Sequence, residues 1–376
     1  MAKTFEVTIF GASGGPLDGN TQCFMVRPIG SEGLSSICID GGAGVGQITK
    51  LISQMNHHKL RNIRKNVESF YENDMESVEI FVNEHLEKLS GFSNTFEKLI
   101  DMQFREKDSN TMRKALVVYK GIKEYYITHA HLDHIAGMVL NTPMVFDGND
   151  MSVDRKEIYG LHDTITALDE CMFNNRIWPD LTQDGTNRIK LNKIEESQQE
   201  ISDAIPRWGI TPFQVTHGRK VNSKEIVTSS VYVIEDKITR NNLIICGDLD
   251  YDITGNRENS LDKIWEYLAT NVLPKHVVGI FIECSSPSSV DNDKLYGHLS
   301  PIFLVNALIK LKEIYEKHYG SSEQLSLDVI VTHIKMTDSQ IDPRIVILEE
   351  LNKYSLLAGL RNFKFSIAIQ GYTYMI

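Results

Sequence analysis

No stretch of this sequence approaches the roughly 20 consecutive apolar residues that cross a bilayer, and residues 1–10 lack the basic segment and long apolar run of a secretory leader. A membrane partner is therefore not expected. Cysteine is scarce and scattered: Cys23, Cys38, Cys171, Cys246 and Cys284 are odd in number and form no C-x-x-C pair. That argues against a disulfide framework and a thiolate zinc site, and it fits a soluble protein in the reducing cytoplasm. Positive charge is also short, with 39 Lys and Arg against 50 Asp and Glu and a formal net charge of −11. Gripping a polyanion needs a basic stripe that displaces counterions, so nucleic acid is not an expected partner. A small anion held by metal and local donors stays open. Repeats and low-complexity tracts are absent too.

Apolar material is plentiful. The 376 residues are 41% hydrophobic and 24% charged, ordinary globular values, and the expected organisation is one domain, 1–376, carrying an insertion. Residues 5–10 alternate apolar and polar and stop at a glycine-rich loop, 11–15, and 21–27 and 35–40 read as further strands. No helix follows that loop directly, so it is neither a P-loop nor a dinucleotide fingerprint. Residues 47–113 are charge-rich, with helical spacing over 78–89, and predict a helical insertion. Further strands are expected at 115–119, 124–128, 157–161, 210–216, 230–235, 242–246, 277–283, 327–332 and 363–369. Helices are expected from about 133 to before Pro143 and over 163–173, 302–318 and 344–354, with a polar connection at 179–199. Two strand-rich halves, each ending in helices, predict an α/β fold with two sheets face to face.

The richest local pattern is T-H-A-H-L-D-H-I-A-G at 128–137, which places His129, His131, Asp133 and His134 just after a strand. Imidazole with carboxylate suits zinc, and the lack of thiolates disfavours a closed structural site. The bland alternative is a solvated chelating loop. Against it, Leu132 and residues 135–140 form an apolar helix face that buries the cluster's flank. Three more ligand types stand at the ends of apolar strands: His217 after F-Q-V-T, Asp248 after I-I-C-G and His333 after V-I-V-T. Any one of them would serve as well in a turn. The recurrence of all three is what points to a single site.

In this order the motifs resemble those of metallo-β-lactamase-superfamily hydrolases, beginning with Asp40 in I-D-G-G. Within that superfamily, G-A-S-G-G-P, T-Q-C-F, H-A-H-L-D-H-I-A-G-M-V and Y-G-H-L-S-P resemble the class II cyclic-nucleotide phosphodiesterases found in yeasts and some bacteria. One departure is Thr142 before Pro143, where that family usually has Ser. The resemblance implies a metallo-β-lactamase αββα sandwich and two divalent metal ions, with zinc expected. It implies that His129, His131 and His217 hold one metal, that Asp133, His134 and His333 hold the other, and that Asp248 bridges them. Asp40 would sit behind the ligands and orient one histidine. Asp133 and His298 are the candidate catalytic residues. His298 would contact the phosphoryl group or protonate the departing ribose oxygen, and Ser300 and Pro301 beside it read as a helix cap and first helical residue.

The implied reaction is hydrolysis of 3′,5′-cyclic nucleotides, cyclic AMP with cyclic GMP left open, to nucleoside 5′-monophosphates. Two rivals compete with it. A tRNA-processing nuclease of the same fold would want a basic surface, and a non-catalytic scaffold relative would be expected to have lost ligands. The other histidines, His57, His58, His85, His276 and His318, read as solvated or loop residues, and His162 is ambiguous. Oligomeric state stays open, a homodimer included.

Overall fold

The computed structural model describes residues 3–55, 66–105, 110–145, 155–219, 225–250, 260–320 and 324–376. Side-chain alternation decides how its first sheet is used. In Phe5–Gly11, residues Phe5, Val7 and Ile9 join one apolar core and Phe10 another; in Cys23–Pro28, Phe24 and Val26 part from Cys23 and Met25. Ser36–Ile39 divides likewise, Ile37 and Ile39 from Cys38. Successive side chains of a strand face opposite ways, so a sheet apolar on both faces has to be covered on both.

Helices Val45–Met55, Asn94–Asp101, Thr111–Gly121 and Leu132–Asn141 cover one face, burying Ile48, Leu51, Phe96, Val118 and Ile135 in the outer core. A second sheet covers the other. Across that interface Phe5 meets Trp208 at 5.3 Å between ring centroids, and Phe24 meets Phe281 at 5.2 Å. The first sheet runs in the order Glu87–Ser90, Tyr372–Met375, Phe5–Gly11, Cys23–Pro28, Ser36–Ile39, Ile122–Tyr126, Lys156–Gly160, Ile189–Lys193. The second runs Glu200–Ile201, Trp208–Arg219, Ile226–Asp236, Asn242–Cys246, Val277–Glu283, Leu327–Thr332, Phe363–Ile367. Helices Ser260–Asn271, Pro301–Tyr319 and Pro343–Leu357 close its outer face through Trp265, Leu304, Leu308 and Leu351. The result is the expected helix, sheet, sheet, helix sandwich.

Parallel pairing fixes where the chemistry goes. The last four strands of the second sheet are mutually parallel, with Glu283 opposite Thr332, and Ser36–Ile39 is parallel to Ile122–Tyr126 in the first. Loops after parallel strands collect at one rim. Among the described residues no helix is long and apolar enough to cross a membrane.

Three expectations change. Region 47–113 is not wholly helical: it holds the hairpin Asn66–Glu68 with Met75–Ser77, and Glu87–Ser90 pairs with Tyr372–Met375 at the sheet's edge. The local helical spacing ends at Phe81 because an open strand edge claims the residues beyond. Residues 115–119 lie inside the helix Thr111–Gly121, with Ala115, Val118 and Tyr119 buried at helical intervals; so short an apolar run fits either structure by pattern. The polar connection at 179–199 contains the strand Ile189–Lys193, which buries Ile189 and Leu191.

Candidate metal centre

Strand ends deliver much of the cluster, while Asp133 and His134 stand in the first turn of the helix Leu132–Asn141. His129 follows Ile122–Tyr126, Asp248 follows Asn242–Cys246, and Asp40 and His333 directly follow Ser36–Ile39 and Leu327–Thr332. His217 is reached differently: Trp208–Arg219 continues past it through an irregularity between Thr216 and Arg219, a local twist that re-aims a side chain. Asp40 and His333 adopt left-handed φ of 59° and 58°, a conformation costing a non-glycine residue about 1 kcal/mol or more, which the surrounding structure must enforce. Two glycines allow the close packing. A Cβ on Gly42 would lie 1.9 Å from the Asp133 carbonyl oxygen, and one on Gly247 would lie 2.4 Å from Ser229 Oγ.

Ligand atoms converge in two overlapping groups, His129, His131, His217 with Asp248, and Asp133, His134, His333 with Asp248. The two oxygens of Asp248 are divided between them. Oδ2 lies 3.6 Å from His129 Nε2 and 3.4 Å from His217 Nε2, while Oδ1 lies 3.3 Å from both His134 Nε2 and His333 Nε2. Asp133 Oδ2 reaches His333 Nε2 at 3.1 Å. His131 stands at the N-cap of Leu132–Asn141 yet makes no capping bond, which leaves its ring to the cluster, with Nδ1 2.9 Å from His129 Nε2.

The outward ring nitrogens are engaged elsewhere. His134 Nδ1 lies 2.8 Å from Asp40 Oδ2, which fixes the proton on Nδ1 and turns Nε2 inward. Asp40 in turn accepts from the Thr128 N–H at 2.7 Å, the Thr128 hydroxyl at 2.9 Å and the Gln22 amide at 2.9 Å. His217 Nδ1 donates to the Gly297 carbonyl at 2.8 Å, and His333 Nδ1 meets Ser285 Oγ at 3.1 Å.

A residue the sequence reading passed over organises the far side. Glu283, fully buried at the end of its strand, accepts from the N–H groups of Leu249 at 2.9 Å and Leu299 at 3.2 Å, from the Ser285 hydroxyl at 2.9 Å, and from His298 Nδ1 at 3.0 Å. Glu283, His298 and His333 also form a convergent group, but a carboxylate already accepting four hydrogen bonds has little left for a cation. Its signal in the sequence was a lone acid ending an apolar strand, as Asp248 and His333 do.

Burial pushes the His129 and His131 imidazoles below the usual histidine range and His217 to about 4, so these rings are neutral with a lone pair to give. Burial opposes ionisation of Asp133 and Asp248, yet His333 and His134 hold both well below the usual carboxylate range. His134 is the exception: burial disfavours its charge, but Asp248 and Asp40 together raise it well above the usual value. A proton there does what a cation would do. Asp248 Oδ1 is buried without a hydrogen bond. Neutral imidazoles, ionised carboxylates and an acceptor lacking a donor are the binding forms of a divalent-metal site, and the residues fit two such ions.

Other candidates fall away. His162 is 74% exposed beside Asp163, and His57 and His58 lie outside the described residues. Thr142 donates to the Val139 carbonyl at 2.6 Å and accepts from Trp178 at 3.1 Å, so its hydroxyl serves packing. Pro301 opens its helix as expected, but Ser300 makes no side-chain cap.

A sandwich with this cluster at its rim defines a metallo-β-lactamase-fold protein. YhfI of Bacillus subtilis, described as having that fold, superposes with a TM-score of 0.53 at 14% identity over 98% of each chain. The chain belongs to the class-II cAMP phosphodiesterases, whose sequence profile matches residues 37–371. It is 39% identical over 370 residues to the 3′,5′-cyclic-nucleotide phosphodiesterase 1 of Saccharomyces cerevisiae, covering 98% of both. It superposes on the crystal structure of unliganded yeast PDE1 with a TM-score of 0.92, at 38% identity and over all of both chains.

Proposed function

We propose that this protein hydrolyses 3′,5′-cyclic nucleotides, cyclic AMP foremost, to nucleoside 5′-monophosphates in the cytoplasm, using two zinc ions held by its His/Asp cluster. The observation that carries this reading is Asp248, whose two oxygens face two separate sets of imidazoles. When bound, such a pair of ions supplies an activated water and neutralises charge on a phosphoryl oxygen. The chain's part is to hold and aim. His129, His131 and His217 would hold one ion and Asp133, His134 and His333 the other, with Asp248 shared between them and its negative charge reducing their repulsion.

Asp133, whose side chain is 30% exposed, is read as the acceptor for a proton of water, besides its part in holding an ion. His298 is fixed by Glu283 at Nδ1, so Nε2 is left to contact the phosphoryl group or donate to the departing O3′. Asp40, Ser285 and the Gly297 carbonyl keep the ligand rings from turning.

Product analysis tests the reaction. Incubation with cyclic AMP and cyclic GMP in ¹⁸O-water should give the 5′-monophosphates with one ¹⁸O on phosphorus. A 3′-monophosphate would overturn the orientation, and no hydrolysis by fully metallated protein would overturn the reading. Metal analysis of freshly purified active protein should find two zinc ions per chain; one tightly held ion would contradict the two-ion site.

A further inference from the structure

The glycine-rich loop 11–15 runs beside the segment 333–336 and clamps it. The Ala12 carbonyl accepts from the His333 N–H at 2.6 Å, the Ile334 carbonyl accepts from the Gly14 N–H and the Ser13 hydroxyl, both at 3.2 Å, and the Gly15 carbonyl accepts from the Met336 N–H at 3.1 Å. From the other side the Ser285 carbonyl accepts from the Lys335 N–H at 3.0 Å. The approach leaves no room for a side chain at Gly14, where a Cβ would lie 2.5 Å from His333 Nδ1. The backbone that carries His333 and Lys335 is therefore held in place residue by residue.

Alternation sorts the side chains of this segment. Ile334 forms a bridge with Ser13, and Ile334 and Met336 line a cavity that none of the metal-cluster residues touches. Successive side chains of an extended segment point to opposite sides, so Lys335, which does not line that cavity, lies with His333 on the side of the cluster. Its charge is felt at His298, where it opposes the proton that Glu283 favours. The His298 and His333 rings stack at 4.9 Å.

Lys335 is half-buried, and among the described residues its ammonium has no hydrogen bond and no carboxylate partner. Other lysines drawn inward are satisfied, Lys114 by Asp101 at 2.7 Å and Lys156 by the Tyr119 carbonyl at 2.6 Å. Withdrawing an ammonium from water without a partner is unfavourable, so one held beside a catalytic histidine by a clamped backbone asks for an anion. The anion has need of it. Asp40, Asp133, Asp248 and Glu283 place four carboxylates around the cluster, which match the charge of two divalent ions and leave none over for a phosphodiester.

We propose that Lys335 binds the phosphoryl group of the substrate, its ammonium on a non-bridging oxygen beside His298, and stabilises the charge that builds there as water attacks. This assignment rests on the proposed hydrolysis and adds to it the side chain that recognises the anion.

Lys335→Met keeps the apolar stem and removes the charge. On cyclic AMP it should lower kcat/KM by about tenfold to a hundredfold, the worth of one hydrogen bond between charged groups, and Lys335→Arg should recover most of that loss. The loss should be equally large on a nitrophenyl diester, which keeps the phosphoryl oxygens. Calorimetric titration of metal-loaded protein reads the contact without turnover: 5′-AMP and inorganic phosphate should each bind Lys335→Met about tenfold more weakly than wild type, with metal content unchanged. Wild-type affinity of the variant for both anions overturns the proposal. So does a loss confined to cyclic AMP with the nitrophenyl diester spared, which would make Lys335 an influence on the His298 proton, and so does a loss of metal, which would make it a support for His333. If wild-type protein with both ions fails to hydrolyse cyclic AMP, the proposed reaction falls, and the two anion titrations still decide the role of Lys335.

Discussion

Asp248→Asn should lower kcat/KM for cyclic AMP by about three orders of magnitude or more, roughly 4 kcal/mol of transition-state stabilisation, while leaving the sandwich folded. Asn keeps the shape and volume of a side chain that is 1% exposed, so packing is preserved. What it removes is the charge. In the native arrangement one carboxylate faces His129 and His217 through Oδ2 and His134 and His333 through Oδ1. Without it, two dications would face each other across a neutral amide whose NH₂ end repels one of them. Metal analysis should therefore find less than two ions per chain, circular dichroism should be unchanged, and added zinc should restore little activity. Asp248→Ala should behave alike. Turnover near wild type with both ions in place would remove Asp248 from its role.

His298→Ala should cost about 10²–10³ in kcat on cyclic AMP with no loss of metal. The ribose O3′ is a poor leaving group and needs a proton as its bond to phosphorus breaks. His298 is 7% exposed, stacked 4.9 Å from the His333 ring, and tied through Nδ1 to Glu283. Burial works against its charge, but Glu283 raises its pKa above the usual histidine value, the direction that suits a proton donor. A nitrophenyl diester leaves readily without a proton, so on that substrate the variant should lose much less. Glu283→Gln should show the same contrast in weaker form, because the imidazole stays while its anchor loses charge. Equal losses on both substrates would make His298 a phosphate contact and not an acid.

The parts legible in the sequence share a physical cause. Asn242–Cys246, Val277–Glu283 and Leu327–Thr332 have the bounds expected of them because strands buried on both faces read as unbroken apolar runs, and a polar residue at the end of such a run marks the rim. The same logic brought out His217, Asp248 and His333, and it would have brought out Glu283 had carboxylates been sought as anchors as well as ligands. Thr128 and Ser285 were hidden because hydroxyls occur everywhere, and only three-dimensional placement separates one that braces the ligand cluster from one that faces water. Glu87–Ser90 was hidden for a different reason. Its partner, Tyr372–Met375, lies at the other end of the chain, and no local pattern reports so distant an edge.

That same Tyr372–Met375 strand bears on how the protein can be made. It sits between Phe5–Gly11 and Glu87–Ser90, with Val7 opposite Tyr374. Until Tyr372–Met375 is in place, Phe5–Gly11 presents an open strand edge with unpaired N–H and C=O groups, and Glu87–Ser90 at the sheet's border has no strand to pair with. Closing it requires contacts of very high sequence separation, which are slow to form, and open edges are templates for pairing with other chains. Until that distant pairing forms, the edge of Phe5–Gly11 is open to misassembly with other chains.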